Sequence, residues 1–251
     1  STVDPIFNVN LSPPSQRLAV TSNTAMGTDP VNVFEQVNAV SSSGFSSGGV
    51  PAMLVGGTLS DEVGATPSRP YITGIAANGV HTFVGYALDF GSQATTNDVF
   101  ELTSGDAILV GDEGDNVFVA SYGGFPLLTP NWQISLQPTP LTGPDAFSDA
   151  RIAEAADGDI LVTCNVDDGG DAYAYIWKLD PATGSTVAAK SLNTASGGGP
   201  GIQVYDLMVN ADGSIALAGS FNGEAAMMAI SADLSTHHFS VRYPDPTYTS
   251  S

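Results

Sequence analysis

The 251-residue chain is short of bases, imidazoles and thiols: six Lys and Arg, three His and one Cys. Against 26 Asp and Glu the bases leave a formal charge of −20, which nucleic-acid phosphates and anionic lipid surfaces repel. Arg17, Arg69, Arg151, Lys178, Lys190 and Arg242 stand singly, so no basic patch can be drawn and nucleic acid is excluded as a partner. The lone Cys164 has no partner for an internal disulfide, and its apolar run makes it a buried, inert thiol. No stretch reaches the roughly 18 apolar residues of a membrane span, so membrane insertion is not expected. Ser1 to Asn10 lack the basic and apolar regions of a secretion signal, which leaves two readings, a leader already removed or none. No long run carries a 3.6-residue hydrophobic period, and 28 Gly and 16 Pro interrupt the candidates, so little helix is expected.

What is present is a repeat. Four segments share an apolar-alternating run, a turn, a very apolar run and two further strand-like runs. Taking Leu54, Ile108, Ile160 and Ile215 as equivalent points, the steps are 54, 52 and 55 residues. Asp157-Gly158 and Asp212-Gly213 are hairpin chemistry, because Gly accepts the positive φ that tight turns between twisted strands require. The second run of each unit is apolar at consecutive positions, as in a strand buried on both faces. The fourth runs, including His81-Thr82-Phe83-Val84 and His238-Phe239-Ser240-Val241, are more polar. A gradient from apolar inner strands to a polar outer strand is the layout of a propeller blade.

The stretch Asn210-Ala211-Asp212-Gly213-Ser214-Ile215-Ala216-Leu217-Ala218-Gly219, with a weaker copy over 156–163, resembles the D-G-x-I-x-V-x-G blades of bacterial and bacteriophage β-propeller repeat proteins. Ile176-Trp177-Lys178-Leu179-Asp180-Pro181 is similar to the third strand and turn of such a blade. The resemblance covers residues 98–243 well and 32–97 loosely. It implies an all-β fold of β-propeller-like, tandem four-stranded antiparallel blades, about four to five of them. The expected organisation is an N-terminal segment over 1–31, blades over 32–97, 98–147, 148–200 and 201–245, and a tail over 246–251. Residues 1–31 have two open fates, closing the ring or reaching onto a neighbouring subunit as an arm.

Chemistry-bearing motifs are few. Gly44-Phe45-Ser46-Ser47-Gly48 matches G-x-S-x-G, yet lies in a Gly/Ser-rich stretch without the strand-turn-helix setting of a nucleophile elbow. His237 and His238 are adjacent, so in a strand they point to opposite faces. Tyr173, Tyr175 and Trp177 have strand spacing and read as packing, while Trp132 could join them in a sugar-stacking platform. Asn165, Asp167 and Asp171 gather oxygen ligands around Gly169-Gly170 and form the candidate metal site, for calcium. No catalytic or organic-cofactor residues are assigned. From these readings the expectation is a non-enzymatic structural or interaction protein of an extracellular assembly, a virion component of a bacteriophage, located in the virion or extracellularly. Its partners would be other subunits, with the chain oligomeric. The alternative is a secreted glycan- or peptide-binding module.

Overall fold

The computed structural model describes residues 18–20, 33–41, 46–47, 50–61, 69–76, 86–87, 94–123, 129–138, 145–168, 171–192 and 201–243. Among them every regular element is a strand. The fold is all-β and propeller-like in its units, a series of antiparallel sheets each built from consecutive chain.

The first sheet holds β1 (Leu18–Val20), β2 (Val33–Ser41), β3 (Ser46–Ser47), β4 (Val50–Asp61), β5 (Arg69–Ala76) and β6 (Tyr86–Ala87), in the order β1-β2-β4-β5-β6 with β3 on β4. The second holds β7 (Ala94–Glu101), β8 (Ala107–Glu113), β9 (Asn116–Gly123) and β10 (Thr129–Leu136). The third holds β11 (Asp145–Glu154), β12 (Ile160–Asp168), β13 (Asp171–Leu179) and β14 (Thr186–Leu192). The fourth holds β15 (Ile202–Val209), β16 (Ile215–Phe221), β17 (Glu224–Ile230) and β18 (His237–Tyr243). The last three sheets are four-stranded meanders, whereas the first has six strands because β1 and β3 add to it. Leu18–Val20 pairs with β2, and the rest of 1–31 lies outside the described residues, as does His81.

The Asp-Gly pairs do what their chemistry predicts. Gly158 N–H donates to Ala155 C=O and Gly213 N–H to Asn210 C=O, with both glycines in the left-handed region at φ 88 and 83. The β17–β18 hairpin closes the same way, Leu234 N–H to Ser231 C=O, but Leu234 holds φ 62 where the other turns use Gly. Its side chain is buried in the core beneath the turn, which offsets the cost of a bulky left-handed residue.

A second regularity was hidden in the glycines that end each apolar run. Each sheet carries a bulge, at Asn38 of β2, Asn97 of β7, Asp149-Ala150 of β11 and Tyr205 of β15. Gly57, Gly111 and Gly219 pair with the residues just before the bulges at Asn38, Asn97 and Tyr205. At Gly219 the strands approach so closely that a Cβ would lie 1.8 Å from the carbonyl oxygen of Gln203. In the third sheet Asp149 and Ala150 stand opposite Cys164, again one extra residue, with Asp149 at φ 55. The thiol is 1% exposed, as expected of an inert core cysteine.

The chain divides into two compact units, residues 1–114 with 120–131, and 115–119 with 132–251. Within the first, β7 packs on β2, β4 and β5, and Thr58 Oγ1 accepts from Thr96 N–H while Thr96 Oγ1 donates to Gly57 C=O. Within the second, β15 packs on β11, β12 and β13, and the Asn165 amide clamps Val204, donating to its C=O at 3.0 Å and accepting from its N–H at 2.7 Å. Both units join consecutive sheets by the same kind of device: a polar side chain that bonds backbone of the next sheet's edge strand.

The core of the second unit lies between the third and fourth sheets. Leu161, Ala174, Ile176 and Leu192 meet Val204, Leu207, Ile215, Leu217, Ile230 and Leu234. Each large apolar side chain buried here contributes about 1.5–3 kcal/mol. Lys178 enters from β13 at 7% side-chain exposure, with its ammonium on the carboxylates of Asp157 and Asp159 and on Ala232 C=O at 3.3 Å. Burial works against its charge, but the hydrogen bond to Asp157 and the attraction of both carboxylates outweigh burial and hold Lys178 above its usual range. Reciprocally, the Lys178 hydrogen bond holds Asp157 below the usual carboxylate range.

Candidate ligand cleft

The third sheet turns its outermost strand, β14, toward the fourth, and alternation aims Ala188, Lys190 and Leu192 at the neighbour. On the fourth sheet the facing rows run Leu217–Met228–Ser240, Ile215–Ile230–His237 and Gly219–Ala226–Arg242. The inner ends of these rows are apolar and close against the third sheet. Their outer ends on β18 are polar, so the core stops short and leaves a cleft of about 360 Å³. Its floor is Leu192, Ile202, Val204, Leu217, Met228 and Ile230; its polar rim is Lys190, His237, Ser240 and Arg242.

Two of the chain's six bases meet at this rim. Lys190 Nζ donates to Leu234 C=O at 2.8 Å and Ser235 C=O at 3.3 Å, which uses two of its three N–H donors. The strained Leu234 turn is thus tied to the same ammonium. The Arg242 guanidinium sits 4.7 Å from the centroid of the Phe221 ring and 3.9 Å from the Glu224 carboxylate. Its side chain is 54% exposed, so the ion pair is weak and the guanidinium keeps donors for a ligand. His237 adds an imidazole able to donate or accept. A dry floor with a basic rim suits a molecule with an apolar body and an acidic end.

The residues singled out from sequence fare differently. Asn165 and Asp167 share one face of β12, with Asn165 buried and Asp167 exposed. Asp171 pairs with Asp168, one position on from Asp167 in β12 and hence on the opposite face. The Asn165 amide is committed to Val204, with Asp149 Oδ2 3.5 Å away. Among the described residues no group of three or more His, Cys, Asp and Glu is placed to hold a metal ion. Ser46 and Ser47 form the two-residue β3. Tyr175 and Trp177 are buried with ring centroids 4.5 Å apart, so they pack rather than present a platform. Trp132 donates its indole N–H to Pro181 C=O at 2.9 Å and lies against Gly184.

Sequence reasoning missed Lys190 and Arg242 as site residues because they lie 52 positions apart and neither belongs to a motif. The one available signal was their placement in the polar fourth runs, where a base at an inward-facing position has no core to enter.

No protein-family model matches the chain. No curated protein matches it either. Among solved structures it is similar to the periplasmic gluconolactonase PpgL of Pseudomonas aeruginosa, with a TM-score of 0.43 and 11% identity, over 91% of this chain and 82% of that one. This finding corrects the expectation of a non-enzymatic bacteriophage virion component with a secreted binding module as its alternative: the protein found to be similar is an enzyme of the periplasm. That expectation is withdrawn.

Proposed function

We propose that this chain binds a small organic acid, a carboxylate with an apolar body, in the cleft between β14 and the fourth sheet. The observation that carries the reading is the meeting of Lys190 and Arg242 over an apolar floor in a chain of net charge −20. Beyond about 8–10 Å the surrounding acids are screened at physiological salt, so the local pair governs a bound anion. A volume of about 360 Å³ is at the small end of the range of ligand pockets. The carboxylate would take the free N–H of Lys190 and the Arg242 fork, with the hydrocarbon on Leu217, Met228 and Ile230.

Calorimetric titration with octanoate, and with octanol as the uncharged control, tests this. Octanoate should bind and octanol should bind more weakly. Lys190→Gln and Arg242→Gln should each weaken octanoate by roughly tenfold or more, the worth of a charge-assisted hydrogen bond. Equal binding of octanol and octanoate, or no binding of octanoate at millimolar concentration, would overturn the reading.

A further inference from the structure

Both lysines of the chain reach one turn. The β17–β18 turn over 231–236 offers its carbonyls to the third sheet: Lys178 Nζ donates to Ala232 C=O at 3.3 Å, and Lys190 Nζ to Leu234 C=O at 2.8 Å and Ser235 C=O at 3.3 Å. The two ammonium groups are otherwise unlike. Lys178 is neutralised by Asp157 and Asp159, whereas Lys190 has no ion pair among the described residues and only neutral carbonyls for partners. Its charge is therefore uncompensated where it lines the cleft.

The turn departs from its counterparts. Gly105, Gly158, Gly213 and Leu234 occupy the same place, each at positive φ with its N–H donated to the carbonyl three residues back. A side chain at Gly105 or Gly158 would meet nothing within 4 Å. Leu234 instead bears the conformational cost of φ 62, and its side chain, 3% exposed, anchors the turn in the core. Asp233 holds the turn from the solvent side, its carboxylate accepting from the Ser235 N–H at 3.0 Å and from the hydroxyls of Ser231 and Ser235.

We infer that this turn positions Lys190 for the acid, with Leu234 and Asp233 as positioning residues, a role that rests on the acid-binding reading of the cleft. A free lysine samples many rotamers, and ordering it on a ligand subtracts from affinity. Two carbonyls on a pinned turn order it beforehand and leave its third N–H for the carboxylate. They do so without a protein carboxylate to compete with the ligand's. Linkage makes the effect reciprocal: what holds the turn strengthens acid binding, and bound acid holds the turn.

Calorimetry with octanoate on Asp233→Ala and Leu234→Gly, each alone and combined with Lys190→Gln, tests the role. Asp233 is exposed, so its variants keep the fold, while Leu234→Gly removes the core anchor along with the strain. Each should weaken octanoate by about 3- to 10-fold and leave octanol unchanged. Asp233→Asn keeps an acceptor for the Ser235 N–H and should restore most of the affinity. In the Lys190→Gln background neither change should weaken octanoate further, whereas a general structural loss would carry over. Hydrogen exchange gives the reciprocal readout: octanoate should slow the Leu234 and Thr236 amides more than the Gly213 amide of the β15–β16 turn. A parent that does not bind octanoate removes the acid-binding reading and the positioning role together. A parent that binds it, with both turn variants binding as well or losing as much without Lys190, overturns the positioning role alone. So does bound octanoate that leaves exchange at Leu234 and Thr236 as it was.

Discussion

The third and fourth sheets have the same strand order and each carries one extra residue at its bulge, yet they place different residues opposite it. In the fourth, a single extra residue at Tyr205 pulls the strands together, and only Gly219 fits opposite. In the third, also with one extra residue, Asp149 and Ala150 stand opposite Cys164, and Asp149 takes φ 55. The second sheet follows the fourth, with Asn97 bulged and Gly111 beside it. The difference teaches that Gly219 answers the close approach at its own bulge and not a requirement of the strand. Where Asp149 takes the left-handed conformation, the position opposite the bulge holds a Cys side chain.

The largest effect should come from Gly219→Ala, whose Cβ meets the Gln203 backbone at 1.8 Å and cannot be relieved by a rotamer change. A loss of about 3–5 kcal/mol is expected by urea denaturation, while Cys164→Ala in the third sheet should cost about 1 kcal/mol. Equal losses at the two sites would break the comparison.

Next in size is the clamp between these sheets. Asn165→Leu keeps volume but strands the N–H and C=O of Val204, both buried, at about 1–3 kcal/mol each. Hydrogen exchange should then show the Val204 amide losing protection along with the Asn165 region, whereas an unchanged Val204 amide would mean that water replaces the side chain.

The smallest effect sharpens the contrast between partners that differ in burial. Lys178 is 7% exposed and Asp157 is 55% exposed. Asp157→Asn leaves a buried ammonium with Asp159 and a carbonyl, while Lys178→Met leaves an exposed carboxylate in water. The first should therefore destabilise more than the second, by about 1 kcal/mol after discounting for solvent screening. The pH dependence follows from the two directions. Asp157 is depressed, so its contribution is present above the ordinary carboxylate range and is lost as pH falls through its folded value. Lys178 is raised, so its contribution is present below the ordinary lysine range and is lost as pH rises through its folded value. The pair stabilises across the interval between these limits, and the Asp157→Asn variant should show a shallower acid limb in thermal melts at stepped pH.

The repeat could be read because its signals are local. A period of 52 to 55 residues, Asp-Gly at the turns and consecutive apolar residues in the second strand are properties of short stretches, and the strand and hairpin assignments over 98–243 follow from them. Of the extra strands of the first sheet, Leu18–Val20 was legible as a short apolar run over 17–21, whereas Ser46–Ser47 carries too few residues for a period to show. The candidate calcium site failed to converge for a related reason. Asn165, Asp167 and Asp171 are neighbours in the chain, but strand alternation and the turn place Asp171 on the other face, and a neighbouring sheet claims the Asn165 amide.

By itself the sequence determined the all-β class, the number of repeats, the turn residues and the acidic character, because each depends on interactions within a few residues or on composition alone. The tertiary structure decided which polar groups meet. Lys190 and Arg242 share a cleft, Asn165 reaches Val204, and both lysines reach one turn, because sheet stacking brings together side chains from distant strands and no local pattern encodes that pairing.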